Sequence, residues 1–338
     1  MRRPSLSRPV PHVLVALALA ALVGCGSGST SGSDSGSGDG SDAADSAGSE
    51  SADGADPDTD GEDAAGADPS EKNSSEEAAA DTAFGELEQE FDARLGVYAL
   101  DTGSGAEVAH RADERFAVAS TFKALAAGAV LDQYGLDGLN TLTAFDLDDL
   151  VSHSPVTERF AGDGMPLGDL AAAAVRQSDN TAANLLLEAL GGPSGFTEAL
   201  RAVGDDVTRI DRWETELNDV PPGEERDTST PRALSETLST YLLGDILDAQ
   251  EKDRLAEWMT TNTTSATLIP AGVPDSWIVA DKSGGASYGI RNDIAVLWPE
   301  EGEPVLLSVL SNRDEEADES DDALIARAAT AALEALGR

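Results

Sequence analysis

Residues 116–123 read Phe-Ala-Val-Ala-Ser-Thr-Phe-Lys, and the helix-favouring run from Thr121 to Gln133 begins inside this stretch. The pattern therefore predicts that Ser120 lies at the start of a helix. Residues i and i+3 share one face of a helix, so the Lys123 ammonium can reach the Ser120 hydroxyl. A serine hydroxyl is a weak nucleophile until a base accepts its proton, and burial beside other cations can lower a lysine pKa enough for that task. The stretch indicates a serine nucleophile, although such a pair on its own is usually a solvated helix face.

Two further motifs follow the first along the chain. They are Ser178-Asp179-Asn180 and Lys282-Ser283-Gly284. From residue 83 onward the chain has three lysines, Lys123, Lys252 and Lys282, and two of them fall on the motifs. Random placement in so lysine-poor a chain would rarely give this arrangement. The three motifs therefore indicate one constellation that is assembled from distant parts of the sequence.

The pattern of apolar residues gives strands at both ends of this region and helices between them. Alternation predicts strands over Arg94–Asp101, Glu107–Arg111, Trp277–Lys282, Ile290–Trp298 and Val305–Asn312. Helical periodicity predicts helices over Leu167–Arg176, Thr181–Leu190, Gly195–Val203, Pro231–Leu242, Asp248–Thr260 and Asp322–Leu336. The expected fold class is α/β plus all-α, with a five-stranded antiparallel sheet flanked by helices and a helical lobe beside it. A cleft between two such lobes is a natural place for a site.

The first 25 residues are typical of an export signal. Three arginines precede an apolar run from Val13 to Val23, which is shorter than the about 20 residues that a membrane-spanning helix needs. The run ends in Leu-Val-Gly-Cys at Cys25, the one cysteine of the chain, and this ending resembles the lipobox of bacterial lipoproteins. The resemblance implies a protein that is exported, acylated on Cys25 and anchored to the outer face of the cell membrane. Whether a released form exists, and which export route is used, stays open.

Residues 26–82 consist mainly of Gly, Ser, Ala and Asp with almost no apolar bulk. They carry 16 acidic residues and one lysine. Such a segment cannot bury enough surface to offset its ordering entropy. We therefore expect a disordered acidic linker over 26–82 and a folded catalytic domain over 83–338.

The composition of the whole chain excludes several kinds of function. It has 22 basic and 64 acidic residues, for a net charge of −42, which argues against nucleic-acid binding because phosphate neutralisation needs a basic surface. One cysteine and three histidines leave little material for a disulfide, a thiolate cluster or a histidine-ligated metal. We expect no metal and no cofactor, membrane contact through the lipid anchor alone, and a monomer.

A fourth motif, Asp211-Arg212-Trp213-Glu214-Thr215-Glu216-Leu217-Asn218, completes the set. Together the four motifs resemble those of the class A serine β-lactamases, and the fourth is similar to the Ω-loop of that family. Segments over 154–158, 177–184, 226–231 and 288–295 are also similar, so the resemblance covers 86–338 and neither the leader nor the linker. It implies the two-lobed fold shared by β-lactamases and penicillin-binding proteins. It also implies hydrolysis of β-lactams, hence antibiotic resistance.

The resemblance implies catalytic roles for five matched residues. Ser120 attacks the lactam carbonyl, and the backbone N–H groups of Ser120 and Gly285 hold the oxyanion. Either Lys123 or Glu214 accepts the serine proton, and which of them does so is left open. Ser178 passes a proton to the departing lactam nitrogen. Glu214 then activates the water that hydrolyses the acyl-enzyme.

Other matched residues are expected to bind the substrate or to support the site. The substrate-binding residues implied by the resemblance are Asn180 for the acylamide side chain, Asn218 beside the water, Lys282, Ser283, Gly284 and Arg291 around the substrate carboxylate, and His153. The expected structural supports are Asp179, Asn184, Arg212 and Asp227, the last two forming a salt bridge at the neck of the Ω-loop. His153 stands where relatives often carry an aromatic residue beside the cleft, and a plain surface histidine is an equally good interpretation.

Three other functions compete with β-lactam hydrolysis. A D-alanyl-D-alanine peptidase of the penicillin-binding type shares the serine chemistry but deacylates lactams slowly, and Glu214 and Asn218 argue against it. A catalytically silent lipoprotein could use the same fold for binding, since fold alone never proves function. A metallo-hydrolase is least supported because its ligands are missing. The substrate spectrum and inhibitor sensitivity depend on cleft shape and stay open.

Overall fold

The computed structural model describes the backbone of residues 69–338 and the side chains of residues 79–338. The predictions for the leader, for Cys25 and for most of the linker lie outside the described residues. The strands are β1 (Arg94–Asp101), β2 (Glu107–His110), β3 (Phe116–Ala117), β4 (Leu142–Thr143), β5 (Met165–Pro166), β6 (Thr228–Ser229), β7 (Ile278–Gly285), β8 (Arg291–Trp298) and β9 (Val305–Asn312). The α-helices are α1 (Pro69–Phe91), α2 (Phe122–Gly138), α3 (Leu167–Arg176), α4 (Asn180–Ala189), α5 (Gly192–Ala202), α6 (Pro231–Leu242), α7 (Ala249–Thr260) and α8 (Asp322–Ala335).

Five strands form one antiparallel sheet in the order β2-β1-β9-β8-β7, which confirms the predicted sheet. Side chains alternate along β9, so that each face of the sheet contributes to a different core. Leu306 and Leu310 lie in the core shared with the helical lobe. Val305, Leu307 and Val309 lie in the core formed with α1 and α8. The sheet is therefore covered on both faces, and the helical lobe rests against one of them.

Helix α2 runs through the centre of the helical lobe. All ten residues from Phe122 to Leu131 are buried, because α3, α4, α5, α6 and α7 contact α2 around its circumference. A Cβ added to Gly128 would lie 2.7 Å from the Tyr241 ring on α6, so glycine allows these two helices to approach closely. The first turn of α2 is thus fixed by the surrounding core. None of the helices within residues 69–338 is long and apolar enough to cross a membrane.

Two boundaries differ from those predicted. The strand expected to end at Lys282 continues through Gly285, because Gly284 and Gly285 pair in register with β8, although glycine usually weakens a strand. Helix α1 begins at Pro69 and crosses residue 83, where the sequence placed the boundary between linker and domain. Ala80 is buried beside Phe84 in the sheet core, so packing begins before the predicted boundary. Residues 76–83 are helix formers that are mostly polar or small. The prediction looked for apolar residues, so this part of the helix was not predicted.

Candidate active site

Ser120 lies in a turn between β3 and α2. Ala119–Thr121 form a single 3₁₀ turn, and Ala119 adopts a left-handed φ of 44°, which is uncommon for a residue with a Cβ. The Thr121 hydroxyl donates to the Val118 carbonyl over 2.7 Å and closes the turn. Ala119 and Thr121 are fully buried, whereas Ser120 is partly exposed. The turn therefore presents the serine to solvent and buries its neighbours.

Two residues of the sheet hold this turn in place. A Cβ added to Gly284 would lie 3.1 Å from the Ser120 amide nitrogen and 3.2 Å from the Val118 carbonyl oxygen, so the close approach of β7 favours glycine. On β8, the buried Asn292 amide donates to the Ala117 carbonyl over 2.7 Å. Sequence reasoning missed this role of Asn292, because an asparagine inside a strand carries no motif. β7 is the edge strand of the sheet, so Gly285 lies where one side of the strand has no strand partner in that sheet.

The Lys123 side chain is the centre of a buried polar cluster. Its Nζ lies 3.0 Å from Glu214 Oε1 and donates to Asn180 Oδ1 over 2.6 Å and to the Ser178 carbonyl over 2.8 Å. Burial lowers the pKa of Lys123, while the neighbouring charges of Glu214 and Asp179 act in the opposite direction. The two groups that could accept the serine proton, Lys123 and Glu214, are thus in direct contact.

Glu214 is held at both its carboxylate and its backbone. The Asn218 amide donates to Glu214 Oε2 over 2.6 Å. Asn184 of α4 binds the peptide group on both sides: its Oδ1 accepts from the Glu214 N–H over 2.8 Å, and its Nδ2 donates to the Glu214 carbonyl over 2.9 Å. Glu214 is 4% exposed. The carboxylate is therefore fixed beside Lys123 by contacts from two different segments.

The segment that carries Glu214 closes on itself through Asp227. Arg212 Nε donates to Asp227 Oδ2 over 2.5 Å, and the other carboxylate oxygen accepts from the backbone N–H groups of Asp211 and Arg212 over 2.7 and 3.0 Å. Asp227 is fully buried. The Arg212 guanidinium also donates to the Asp219 carbonyl over 2.9 Å. Arg212 and Asp227 therefore lie in contact at the neck of the loop, where the sequence predicted a salt bridge.

Residues 178–180 place a hydroxyl between two lysines. Ser178 has a left-handed φ of 56°, and its Oγ lies 3.4 Å from Lys123 Nζ and 3.3 Å from Lys282 Nζ. Asp179 caps α4, since its Oδ1 accepts from the Ala182 N–H over 2.8 Å. Both ends of the Asn180 amide are engaged by the protein, because Nδ2 donates to the Ser152 carbonyl over 2.9 Å in addition to the contact with Lys123.

Lys282 is fully buried and shares Ser178 with Lys123. Its Nζ also donates to the Ser283 carbonyl over 2.7 Å. Burial, followed by the nearby charge of Lys123, lowers the pKa of Lys282 to about 7. The Ser283 hydroxyl lies 2.7 Å from the Thr264 hydroxyl. Sequence reasoning also missed Thr264, which stands in a threonine-rich turn without a recognisable signal.

The two remaining predicted substrate residues lie at the rim of the site. Arg291 pairs with Gly285 across β7 and β8, and its Nε donates to Asp322 Oδ1 over 2.6 Å. Its guanidinium therefore already has a carboxylate partner. His153 is exposed with a left-handed φ of 57°, and its Nε2 lies 3.1 Å from the Gln177 carbonyl oxygen. Its backbone carbonyl accepts from the Asn180 N–H over 3.0 Å, which places the histidine beside the 178–180 turn.

The chemistry available here is that of a serine hydroxyl, two buried ammonium groups and one carboxylate. Within residues 69–338 no group of three or more His, Cys, Asp or Glu side chains is placed to hold a metal ion. A serine hydroxyl in a site with groups able to accept its proton suits nucleophilic attack and acyl transfer.

Comparison with known proteins gives one family. A model of the beta-lactamase enzyme family matches residues 79–336. The chain is 50% identical over 268 residues to a beta-lactamase of Bacillus licheniformis, covering 79% of this chain and 87% of that protein. It is 53% identical over 254 residues to a beta-lactamase of Amycolatopsis lactamdurans, covering 75% of this chain and 84% of that protein.

Solved structures agree. The class A beta-lactamase from Clostridium kluyveri superposes with a TM-score of 0.75 at 48% identity, covering 76% of this chain and 98% of that one. A halotolerant bacterial beta-lactamase gives a TM-score of 0.74 at 49% identity, covering 75% of this chain and 98% of that one. The chain belongs to the beta-lactamase enzyme family, and within it to class A.

Proposed function

We propose that this enzyme hydrolyses penicillins and cephalosporins through an acyl-enzyme on Ser120, with Glu214 directing the water that releases it, and so gives antibiotic resistance. The observation that carries the proposal is the Glu214 carboxylate, which lies 3.0 Å from Lys123 Nζ and accepts from Asn218 over 2.6 Å. A buried carboxylate that is held in this way beside Lys123 suits the role of a general base better than a purely structural role.

Acylation follows from the residues around the serine. Ser120 attacks the lactam carbonyl as Lys123 or Glu214 takes up its proton. The backbone N–H groups of Ser120 and Gly285 receive the oxyanion, and one such donor contributes about 3–4 kcal/mol to the transition state. Ser178, in reach of both lysines, passes a proton to the departing nitrogen. Collapse of the tetrahedral intermediate breaks the carbon–nitrogen bond and leaves the acyl group on Ser120.

Substrate binding uses the cations on the sheet side of the site. Lys282 and Ser283 receive the carboxylate of the substrate, with Arg291 beside them and Gly284 leaving room for the close approach of the strand. Asn180 binds the acylamide side chain, and His153 lines the rim. Glu214 and Asn218 then place the hydrolytic water, for which general base catalysis contributes about 10²- to 10⁴-fold in rate.

The closest competing function is that of a D-alanyl-D-alanine peptidase, and deacylation separates the two. The test is turnover of a chromogenic cephalosporin by the chain that begins after Cys25, measured beside Glu214→Ala. We expect steady turnover by the parent and a variant that accumulates as an acyl-enzyme in the mass spectrum. A parent that acylates once and stalls would support the peptidase, and absence of acylation in both proteins would support a silent binding role.

We also propose that Cys25 is lipid-modified and anchors the exported enzyme, as a monomer, to the outer face of the cell membrane. The motif at Leu-Val-Gly-Cys25 and the position of the lone cysteine support this. Labelling of cells with a radioactive fatty acid should mark the wild-type chain and not Cys25→Ser. Equal labelling of both chains, or none of either, would contradict the anchor. Light scattering of the soluble form should give the mass of one chain.

A further inference from the structure

Two carboxyl groups lie in contact beneath the substrate-binding strand, and the chemistry described above does not use them. Asp281 is on β7 and Asp293 is on β8, where it is the register partner of Ser283. Asp281 is 3% exposed and Asp293 is fully buried. The register makes the two side chains diagonal neighbours on one face of β7 and β8. Asp281 Oδ2 and Asp293 Oδ1 are both buried without a hydrogen-bond partner among the described residues. Since a carboxylate has no proton to donate, two such neighbours can satisfy each other only if one of them holds a proton.

One proton satisfies both of these oxygens. Two neighbouring carboxylates in a buried site cannot both be ionised without a large cost, because desolvation and mutual repulsion add. Burial, followed by the charge of Asp281, raises the pKa of Asp293 well above its ordinary value. Burial also raises the pKa of Asp281, but the polar side chains of Ser265, Asn262 and Asp293 beside it act in the opposite direction. Asp293 is therefore the acid, Asp281 is the carboxylate, and the pair carries one negative charge.

Lys282 needs a negative charge that the catalytic cluster does not supply. Its ammonium is fully buried and lies near Lys123, and the carboxylate of that cluster, Glu214, contacts Lys123. The carboxyl pair formed by Asp281 and Asp293 favours the charged form of Lys282, whereas Lys123 and Arg291 oppose it. Successive residues of a strand point to opposite faces, so the acid pair lies behind β7, on the face opposite to the Lys282 side chain.

We propose that Asp281 and Asp293 are positioning residues that share one proton, and that the single charge they retain behind β7 keeps Lys282 an ammonium ready for the substrate carboxylate. The inference rests on the carboxylate-binding role of Lys282 in the proposed function. It adds two residues that touch neither the substrate nor the reacting atoms.

The two residues also contact the segment 262–272, part of which meets Ser283. Asp293 Oδ2 accepts from the Ile269 N–H over 3.1 Å in the 3₁₀ turn Ile269–Gly272. The Asn262 amide donates to the Asp281 carbonyl over 2.9 Å, and its Oδ1 accepts from the Thr264 N–H over 3.0 Å. Thr264 in turn meets the Ser283 hydroxyl. Asn262 thus joins the backbone of β7 to the turn that meets the Ser283 hydroxyl.

The surroundings of the pair leave few other charges to consider. The turn at Ile269 presents a backbone N–H, and the segment 262–265 presents amide and hydroxyl groups. Helix α8 contributes Asp322, which is held by Arg291 and by the Thr267 hydroxyl. The charges that act on the pair are therefore each other and Lys282.

The kinetic test compares Asp293→Asn with the double variant Asp281→Asn/Asp293→Asn in the enzyme that begins after Cys25. The single variant keeps the hydrogen bond and one negative charge, while the double variant keeps the volume and loses the charge. Removing an opposite charge close to a buried lysine lowers its pKa by about one unit or more. The double variant should therefore raise KM for a penicillin about fivefold at pH 7 with little change in kcat, and its alkaline limb of kcat/KM should move about one unit lower. The single variant should match the parent.

The stability test needs no substrate and asks only whether a proton is shared. The folded-state pKa of Asp293 is raised, so the parent holds a proton that the unfolded chain releases near pH 4, and this stability is lost as pH rises toward the folded pKa. Asparagine needs no such proton. As pH rises from 5 to 8, Asp293→Asn should therefore become more stable relative to the parent in thermal and urea unfolding. The ratio of the two unfolding constants should change by up to about tenfold per pH unit.

The outcomes separate the inference from the proposed function. Two results would overturn the shared proton while hydrolysis continues. One is an equal loss of kcat/KM in both variants with no shift in its alkaline pH dependence. The other is a stability difference between Asp293→Asn and the parent that does not change with pH. A parent that does not hydrolyse lactams would instead contradict the proposed function and leave the unfolding test intact. If the double variant does not fold, the pH dependence of Asp293→Asn decides alone.

Discussion

The Asn184 side chain should control deacylation although its only contact with the catalytic groups is through the Glu214 backbone. Asn184→Ala removes the acceptor of the Glu214 N–H and the donor to the Glu214 carbonyl, which lie at 2.8 and 2.9 Å. Each buried backbone group left without a partner costs about 1–3 kcal/mol. The loop that carries Glu214 can shift toward water and recover part of this, so we expect a loss of about 2–3 kcal/mol in the free energy of unfolding.

The same shift should slow release of the acyl group. A displacement of about 1 Å in a catalytic group costs roughly a hundredfold in rate. Without Asn184, the Glu214 backbone would lose the two hydrogen bonds that fix its position relative to Lys123. We therefore expect the variant to accumulate acyl-enzyme with a penicillin, seen by quenched-flow mass spectrometry, with deacylation about a hundredfold slower. Steady-state turnover and urea unfolding are measured on the same preparation.

Asn140→Ala provides a matched control in the same lobe. Asn140 is exposed and donates only to the carbonyl of Asp137 three residues earlier, so its loss should change stability by less than about 0.5 kcal/mol and leave turnover unchanged. If Asn184→Ala deacylates and unfolds like this control, the Glu214 backbone is held by something else and the reasoning fails.

Three further predictions follow from particular distances and charges in the site. Gly284→Ala puts a Cβ 3.1 Å from the Ser120 nitrogen and should cost about 1–3 kcal/mol in thermal unfolding together with slower acylation, whereas Gly85→Ala, which meets no atom within 4 Å, should be neutral in both. Asp322→Asn releases the guanidinium of Arg291 and should lower KM for a carboxylate-bearing penicillin up to about fivefold (~1 kcal/mol), and an unchanged KM would show that Arg291 does not reach the substrate. The pKa of Lys282 is about 7 and lysine loses its charge as pH rises, so kcat/KM should fall above pH 7. Lys282→Arg keeps its charge, so its kcat/KM should stay constant over the same range. A fall that persists in this variant would assign the pH dependence to another group.

Much of the fold was available from the sequence because local patterns suffice for it. Alternation over Arg94–Asp101 and Val305–Asn312 gave strands whose limits match the structure, and the helix over Pro231–Leu242 also matches. Alternation is a property of neighbouring residues, so no knowledge of the distant chain is needed. The part of the helix before residue 83 was missed because its sequence contains small and polar residues and no apolar repeat.

The site was predictable to the extent that motifs carry it. The i and i+3 spacing predicted that the Lys123 ammonium reaches the Ser120 hydroxyl, and the remaining assignments came from the family resemblance. The carboxyl pair of Asp281 and Asp293 could not be found in this way, because in a chain with 64 acidic residues an individual aspartate carries no signal. Only the packing of β7 against β8 shows that these two are buried in contact.

The three cations of the site each have a carboxylate of their own, and this arrangement decides which of them receives the substrate. Lys123 contacts Glu214 directly, and Arg291 contacts Asp322 directly, so a substrate carboxylate must compete with a protein carboxylate at either. The acid pair behind β7 balances the charge of Lys282 from the opposite face of the strand. From there it makes no direct ion pair with the ammonium. A buried cation that is charge-balanced but not directly paired binds an incoming anion without first releasing another. We therefore expect Lys282 to be the principal anchor of the substrate carboxylate, with Arg291 contributing only as far as Asp322 releases it.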